Sequence, residues 1–517
     1  MSTPSAGLPI IYVRGYAGGT PGIEKAVTDP FYGFNQGSTH IRVGRQDNPV
    51  LYQFESPLLR LHLDEGYHIV VEGGPRPEKE EDPPPESIWI HRFYDLCSGS
   101  WGSQAQSFDL ETAARDLLRL IDHVRERTGA RRVNLVAHSM GGLICRCLLQ
   151  KIIPAERNER ATDYVAKLFT YGTPHGGITF AVGFGVPEAL RDMFDINGAD
   201  IFGPDRMYQY LTPAPDPDGP PDGWRAVDIG DDDGSGSAAD AAGRFPLDRV
   251  FCMVGTDARD YDVGHGISAE AVGPRSDGLV QIENAQVTGA HRAFAYRSHS
   301  GAYGLVNSEE GYQNLRRFLF GDVRADTDLV DVRLPGDAEV TWQAEVRVTA
   351  RGLPVLMHER TAPHWCPIQL SDPTEASLRA RAATAGDGAV PLATTFLSSG
   401  LRSQGSGAMR FVIDLNLLSL RETHGLFGFG DHLEQTADFS DTLIVDVAAG
   451  GSRPAAWAHW NSEVPGAIRD LSPTGDPLPD ESPQGDGSWL AHVPLPATTR
   501  PILGPDARIR LTVGPWN

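Results

Sequence analysis

The stretch RVNLVAHSMGGLICRCLLQ, residues 132–150, constrains the fold more than any other part of the chain. Its first six residues, RVNLVA, read as a strand, and several of the strands predicted with it are apolar on both faces, as they must be when helices cover both sides of a parallel sheet. A helical pattern begins only a few residues later, so strand and helix are joined by a sharp turn with Ser139 at its apex. Such a turn pushes the side chain at its apex out beyond the carboxyl edge of the sheet. The residues two positions to either side must be small, because the chain bends tightly and the helix crosses close by. Ala137 and Gly141 meet that need.

The surrounding sequence agrees. The spacing predicts a helix over 107–128, with Leu110, Ala114, Leu117, Ile121 and Val124 on one face, Ser107 available as a cap and Gly129 as a stop. A helix, a strand and a second helix in that order form a doubly wound unit. LPIIYV at 8–13, YHIVVE at 67–72, SIWIHRFY at 87–94, KLFTYG at 167–172, RVFCMVG at 249–255 and HRAFAYR at 291–297 read as further strands of the same sheet, and a last helix is expected at 308–319. Three insertions interrupt it: 20–50, Gly-rich with Phe31, Tyr32 and Phe34; 73–86, a Pro- and acid-rich solvated loop; and 178–245. The last combines an apolar run, ITFAVGFGVPEALRDMF, placed where a cap over a site could arise, with DIGDDDGSGSAADAAG, expected as a mobile loop.

GDVRADTD at 321–328 reads as an acidic break, after which the pattern changes. Val340, Trp342, Ala344, Val346 and Val348 alternate with polar residues, and Phe411, Ile413, Leu415 and Leu417 do the same. Period-two runs separated by turns predict an antiparallel sandwich. The expected organisation is therefore an α/β domain over 1–322, with a mostly parallel sheet and a cap or loop insertion at 178–245, followed by an all-β domain over 323–517.

Of 517 residues, 45 are Lys or Arg and 68 are Asp or Glu, a net charge of −23. No basic stripe interrupts this balance, so nucleic acid is excluded as an expected partner. No run approaches the ~20 apolar residues of a spanning helix. The cysteines Cys97, Cys145, Cys147, Cys252 and Cys366 are odd in number and lack metal or redox spacing, which predicts free thiols and a cytoplasmic setting.

A serine hydroxyl becomes a nucleophile when a histidine takes its proton and a carboxylate orients that histidine. Among 16 histidines, His299 lies just past the last strand of the α/β region, where such a base would emerge. His138 adjoins Ser139 and points away along the turn, His175 in YGTPHGG reads as structural or cavity-lining, and His265 between two glycines could line a mouth. Two carboxylates fit as the acid: Asp257, after RVFCMVG, and Asp277, in the turn RSDGLV. Chain order permits both. The Met140 amide at the helix start could bind a developing oxyanion, and the Tyr16 amide, after the turn at Gly15, could supply a second donor.

AHSMGG, YGTPHGG, SDGLV and the histidine of RSHSG together resemble motifs of bacterial lipases and of GPI-inositol-deacylase-like serine hydrolases in the α/β-hydrolase superfamily. The resemblance implies that Asp277, in the SDGLV turn, is the acid and that His299, 22 positions on, is the base. It implies an ester hydrolase working through an acyl-enzyme on a small-molecule or lipid ester; no cofactor is expected. Two departures stand out. Arg14-Gly15 replaces the His-Gly usual at the first oxyanion loop, and Ser300-Gly301 follows His299 where secreted lipases carry a calcium-binding Asp, so no metal is expected. Because a base histidine must be neutral, activity is expected to fall as pH drops through about 6–7. An acyltransferase or phospholipase would use the same residues, and a non-catalytic platform would rely on the β-domain. In that domain, Trp342, Trp365, Trp457, Trp460 and Trp489 are expected chiefly in the core, and residues 430–434 as a solvated loop.

Overall fold

The computed structural model describes residues 7–17, 20–43, 48–71, 82–99, 107–179, 199–232, 234–237, 239–261, 272–336, 340–371, 389–402, 407–423, 432–448, 454–468, 473, 475–482 and 487–516. The chain divides into two compact units, one of residues 1–291 and 297–312, the other of 292–296 and 313–517.

The first unit is built on six strands, β1 (Ile10–Val13), β4 (His68–Ile69), β5 (Ser87–His91), β6 (Val133–His138), β7 (Val165–Tyr171) and β8 (Val250–Gly255), in the spatial order β4-β5-β1-β6-β7-β8, and β9 (His291–Ala295), most of which is counted in the second unit, ends the sheet order after β8. The pairings from β4 through β8 are all parallel. β1, β7 and β8 are buried along their whole length, which explains why their sequences lack alternation. Each fully buried Val, Leu or Phe there contributes about 1.5–3 kcal/mol. β1 and β6 are neighbours although more than a hundred residues separate them in sequence, so the chain ends leaving these two strands meet at one edge of the sheet.

Helix α3 (Leu110–Thr128) buries Leu110, Ala114, Leu117, Ile121 and Val124, and Gly129 ends it in the left-handed conformation. Its cap is Asp109 and not Ser107: the Asp109 carboxylate accepts from the Thr112 amide at 2.8 Å. Asp109 immediately precedes the first helical residue, which leaves Ser107 too far upstream to reach the free amides. The 20–50 insertion folds into helix α1 (Thr20–Thr28) and an antiparallel hairpin of β2 (Ser38–Val43) and β3 (Pro49–Phe54). Most of the Pro- and acid-rich 73–86 stretch, and all of the 178–194 cap candidate except 178–179, lie outside the described residues. DIGDDDGSGSAADAAG is better tied down than a mobile loop would be. Arg160 binds the Asp232 carboxylate and donates to the Ser235 and Gly236 carbonyls at 2.5 and 2.7 Å.

The second unit contains two antiparallel sheets. One has the order β14 (Val390–Leu397), β10 (Val323–Val330), β19 (Arg508–Pro515), β18 (Trp489–Pro494). The other has β12 (His358–Arg360), β11 (Val340–Ala350), β15 (Met409–Thr423), β16 (His432–Ala448), β17 (Ala455–Trp460), with β13 (Ile368–Gln369) also on β11. Buried residues of both sheets form a single apolar cluster, as in a sandwich. It includes all the alternating residues of β11 and β15 named above and Trp342, Trp460 and Trp489; Trp365 is exposed and Trp457 half-buried.

Two expectations fail here. GDVRADTD is no break: most of it is the central strand β10, with Val323, Ala325 and Leu329 inward. Its acids are paired, Asp326 with Thr394 at 2.6 Å and Asp328 with Arg510 at 2.8 Å. Residues 432–434 open β16 and do not form a loop, with Glu434 opposite Arg421, while 430–431 lie outside the described residues.

Candidate functional site

Ser139 follows β6 directly and precedes helix α4 (Met140–Cys147). Its backbone has φ 54° and ψ −130°, a conformation that costs a non-glycine residue about 1–3 kcal/mol and persists only where the surroundings enforce it. Here they do. The Ser139 amide donates to the Tyr171 carbonyl at 2.9 Å, and the Ser139 carbonyl accepts from Thr173 Oγ1 at 2.9 Å and the Gly142 amide at 3.0 Å. The loop leaving β1 presses against the same turn. A Cβ on Gly15 would lie 2.5 Å from Ser139 Cβ, and one on Gly141 would lie 2.3 Å from the Val13 carbonyl oxygen. Only glycine fits at either position.

His299 Nε2 lies 2.9 Å from Ser139 Oγ, and His299 Nδ1 lies 2.8 Å from Asp277 Oδ2. A carboxylate accepts, so Nδ1 is the donor in that contact. Nε2 is then the acceptor for the serine hydroxyl. All three side chains are buried. The other oxygen of Asp277 accepts from the Leu279 and Val280 amides at 3.1 and 2.8 Å, and the Asp277 carbonyl accepts from the His299 amide at 2.9 Å. The SDGLV turn thus fixes both the carboxylate and the backbone of the histidine it touches. Tyr261 sets its ring edge-to-face against His299, with centroids 5.7 Å apart.

The other candidates take supporting places. His138 Nε2 donates to the His299 carbonyl at 2.9 Å. Burial, and then the proximity of His299, lowers its pKa to about 3, so it stays neutral. His175 is buried beside Thr170 and Cys252, its pKa driven far down by burial. Asp257 Oδ1 accepts from the Arg259 and Asp260 amides at 3.1 and 3.3 Å, and Asp277 rather than Asp257 reaches His299. His265 lies outside the described residues. Met140 begins α4, where main-chain amides lack helical acceptors. Tyr16 follows Gly15 on the loop against Ser139, and the next amide, Ala17, donates to Tyr94 Oη at 3.3 Å.

Thr173 and Tyr261 are supporting residues that motif reading passes over. Thr173 stands in YGTPHGG beside the strand next to β6, where it could have been suspected. Tyr261 has no local signal, because only tertiary structure brings its ring to the histidine.

Ser139 and His299 open into a cavity of ≈ 780 Å³, whose wall also includes Arg14, Tyr16, Phe34 and Tyr261. Among the described residues, no group of three or more His, Cys, Asp or Glu side chains is placed to hold a metal ion, and no helix is long and apolar enough to cross a membrane. All five cysteines are free.

A family model described as the alpha/beta hydrolase fold matches residues 80–193. Among solved structures, the chain is similar to the product of gene lin2722 of Listeria innocua, with 13% identity over 60% of this chain and 94% of that one and a TM-score of 0.25. It is also similar to the mature lipase BlEst2 of Bacillus licheniformis, with 14% identity over 59% and 90% and a TM-score of 0.30. No curated protein matches the sequence. With its parallel sheet, its strand–turn–helix at Ser139 and the matched family model, the first unit has the architecture of an α/β-hydrolase fold.

Proposed function

We propose that the protein is a serine hydrolase that cleaves carboxylic esters through an acyl-enzyme, with Ser139 as nucleophile, His299 as base and Asp277 as the acid that orients it. The observation that carries this reading is the continuous hydrogen-bonded path from Asp277 Oδ2 through His299 to Ser139 Oγ, with contacts of 2.8 and 2.9 Å, opening into a cavity. Ser139 Oγ attacks the ester carbonyl carbon as its proton passes to His299 Nε2. Asp277 balances the imidazolium charge without taking its proton. The tetrahedral oxyanion is held by the Met140 and Tyr16 amides, the strained turn keeping the first of these aimed before substrate arrives. The imidazolium then protonates the departing alcohol, and water activated by His299 clears the acyl group.

On this reading residues 1–322 carry the chemistry and 323–517 form an accessory β-domain. The lipase-like motifs extend the substrate class to esters with apolar acyl chains, and the free thiols fit a reducing, cytoplasmic setting. A fluorophosphonate probe tests the core of the reading: it should label the wild-type protein and not Ser139→Ala. Equal labelling of the two would sink it. A nitrophenyl ester series of rising acyl length tests the substrate class, and a rate highest on acetate would rule out the apolar-chain extension alone.

A further inference from the structure

Arg14 is the last residue before the Gly15 turn, and its side chain lines the cavity that contains Ser139. Its one hydrogen bond runs from Nη1 to the Tyr32 carbonyl at 2.7 Å. Among the described residues it has no other hydrogen-bond partner and no carboxylate at ion-pairing distance. The nearby acids are already engaged. Asp29 accepts from the Phe31 and Gly33 amides at 2.9 and 3.0 Å, and Asp95 is held by Tyr32 Oη and Arg92 at 2.8 and 2.9 Å.

The loop that holds Arg14 is itself shaped for the purpose. Tyr32 has φ 51°, unusual for a tyrosine, and this turns its carbonyl toward the guanidinium. The Arg92 guanidinium lies 4.7 Å from the centroid of the Tyr32 ring, which fixes the loop from behind. Burial also lowers the pKa of Arg14 from its ordinary value, although a guanidinium there remains charged. The nearest carboxylate, Asp29, attracts this guanidinium only from beyond ion-pairing distance, and a single carbonyl contact does not require a guanidinium, so the cation has capacity for a further anion. The other charged side chains of the cavity wall are Lys25, exposed at the rim, and Asp29, so two cations face one engaged carboxylate in a chain of net charge −23.

We infer that Arg14 is a substrate-binding residue that docks an anionic group, a carboxylate or a phosphate, carried by the ester that Ser139 attacks. This rests on the serine hydrolase reading above. A guanidinium with free N–H groups offers either anion the paired, charge-assisted hydrogen bonds it forms best.

The test compares kcat/KM on matched nitrophenyl esters of one acyl length, with a terminal methyl, carboxylate or phosphate. Fluorophosphonate labelling of Ser139 is the independent measure of a folded, competent site. Wild type should prefer at least one anionic ester over the methyl ester by roughly tenfold or more, and the carboxylate and phosphate arms identify which anion. Arg14→Gln should lower the anionic-to-neutral ratio by roughly 10–100-fold, and Arg14→Lys should keep much of it. A wild type without anionic preference overturns the assignment. So does a ratio that survives Arg14→Gln within twofold, including a uniform loss on all three esters. If Ser139 is not labelled in the wild type, it is the hydrolase reading that fails.

Discussion

Each of the two units buries a carboxylate against a basic side chain, and the two pairs are built to opposite ends. In the second unit, Arg410 on β15 and Asp446 on β16 face one another in register, with two hydrogen bonds of 2.9 and 2.6 Å, and Arg410 also donates to the Ile468 carbonyl at 2.7 Å. That pair is closed: both carboxylate oxygens meet the guanidinium, and its consequence is strand register. In the first unit, Asp277 directs one oxygen to main-chain amides and the other to His299, and the far nitrogen of that histidine meets a serine hydroxyl at a cavity wall. This pair is open at one end. On the proposed function, a buried carboxylate–base contact serves chemistry when one member has a second, reactive neighbour.

The largest expected effect follows from cutting the open end. Ser139→Ala should lower kcat on a nitrophenyl ester by on the order of 10⁴–10⁶-fold, with the far-ultraviolet circular dichroism unchanged. Ser139→Gly should be equally inactive and more stable than Ser139→Ala by about 1 kcal/mol in urea titrations, because glycine accepts the strained φ and ψ of this position. Substantial turnover in either variant would leave the serine without the role assigned to it.

Next comes the orienting acid. Asp277→Asn should cost on the order of 10⁴-fold in kcat, since an amide in that place favours the wrong tautomer of His299. Asp257→Asn is the control. Its carboxylate accepts from the Arg259 and Asp260 amides, which an asparagine oxygen can also do, and kcat should stay within about tenfold. The reverse ranking would move the acid role to Asp257.

Cutting the closed pair should alter stability and leave activity alone. Asp446→Ala strands a buried guanidinium and should destabilise the second unit by about 3–5 kcal/mol in urea unfolding. Replacing both partners, Arg410→Met with Asp446→Leu, should cost much less, because no unpaired charge remains. Folded Asp446→Ala protein should hydrolyse nitrophenyl esters within about threefold of the wild-type rate. A cost below ~1 kcal/mol would show that the pair is solvated in solution and that the contrast between the units is false.

The same contrast explains what was legible in the sequence. The parallel sheet was readable because strands buried on both faces leave unbroken apolar runs such as LPIIYV and VFCMV. The sharp turn at Ser139 was readable because such a turn demands small residues at fixed offsets, here Ala137 and Gly141. The choice of Asp277 over Asp257 was not, since both follow the same strand and only three-dimensional distance separates them; a motif resemblance favoured Asp277. β10 was hidden by its charges: its inward Val323, Ala325 and Leu329 alternate correctly, but Asp326 and Asp328 look solvent-facing until Thr394 and Arg510 are known to cover them. The Asp109 cap was missed because Ser107 and Asp109 are equally good capping residues, and their order relative to Leu110 decides.

The smallest expected effect lies in acid stability, where both units carry histidines that burial keeps neutral. Burial lowers His91 in the first unit to about 4, against a partly compensating hydrogen bond to the Ala113 carbonyl. It lowers His358 in the second unit to about 3, with Arg360 and Arg292 adding to the shift. A histidine of the unfolded chain binds a proton near pH 6.5, and these two resist it, so between about 6.5 and 4 the unfolded state holds more protons than the folded one. Stability therefore rises with pH across that window and is lost as pH falls through it, by up to about 1.4 kcal/mol per pH unit for each histidine. His358→Leu replaces the ring with an apolar side chain of smaller volume. It should lose some packing against Phe294, whose ring centroid lies 5.5 Å from that of His358, at all pH values. It should also flatten the acid slope, so that its urea midpoint relative to wild type improves by the equivalent of about 2 kcal/mol between pH 7.5 and pH 4.5. The parallel change His91→Leu should flatten the slope less, because the histidine it removes is less strongly shifted. Wild-type and His358→Leu curves that run parallel across the window would mean that the ring is protonated in the folded protein, and that burial in the second unit is looser than its closed ion pair implies.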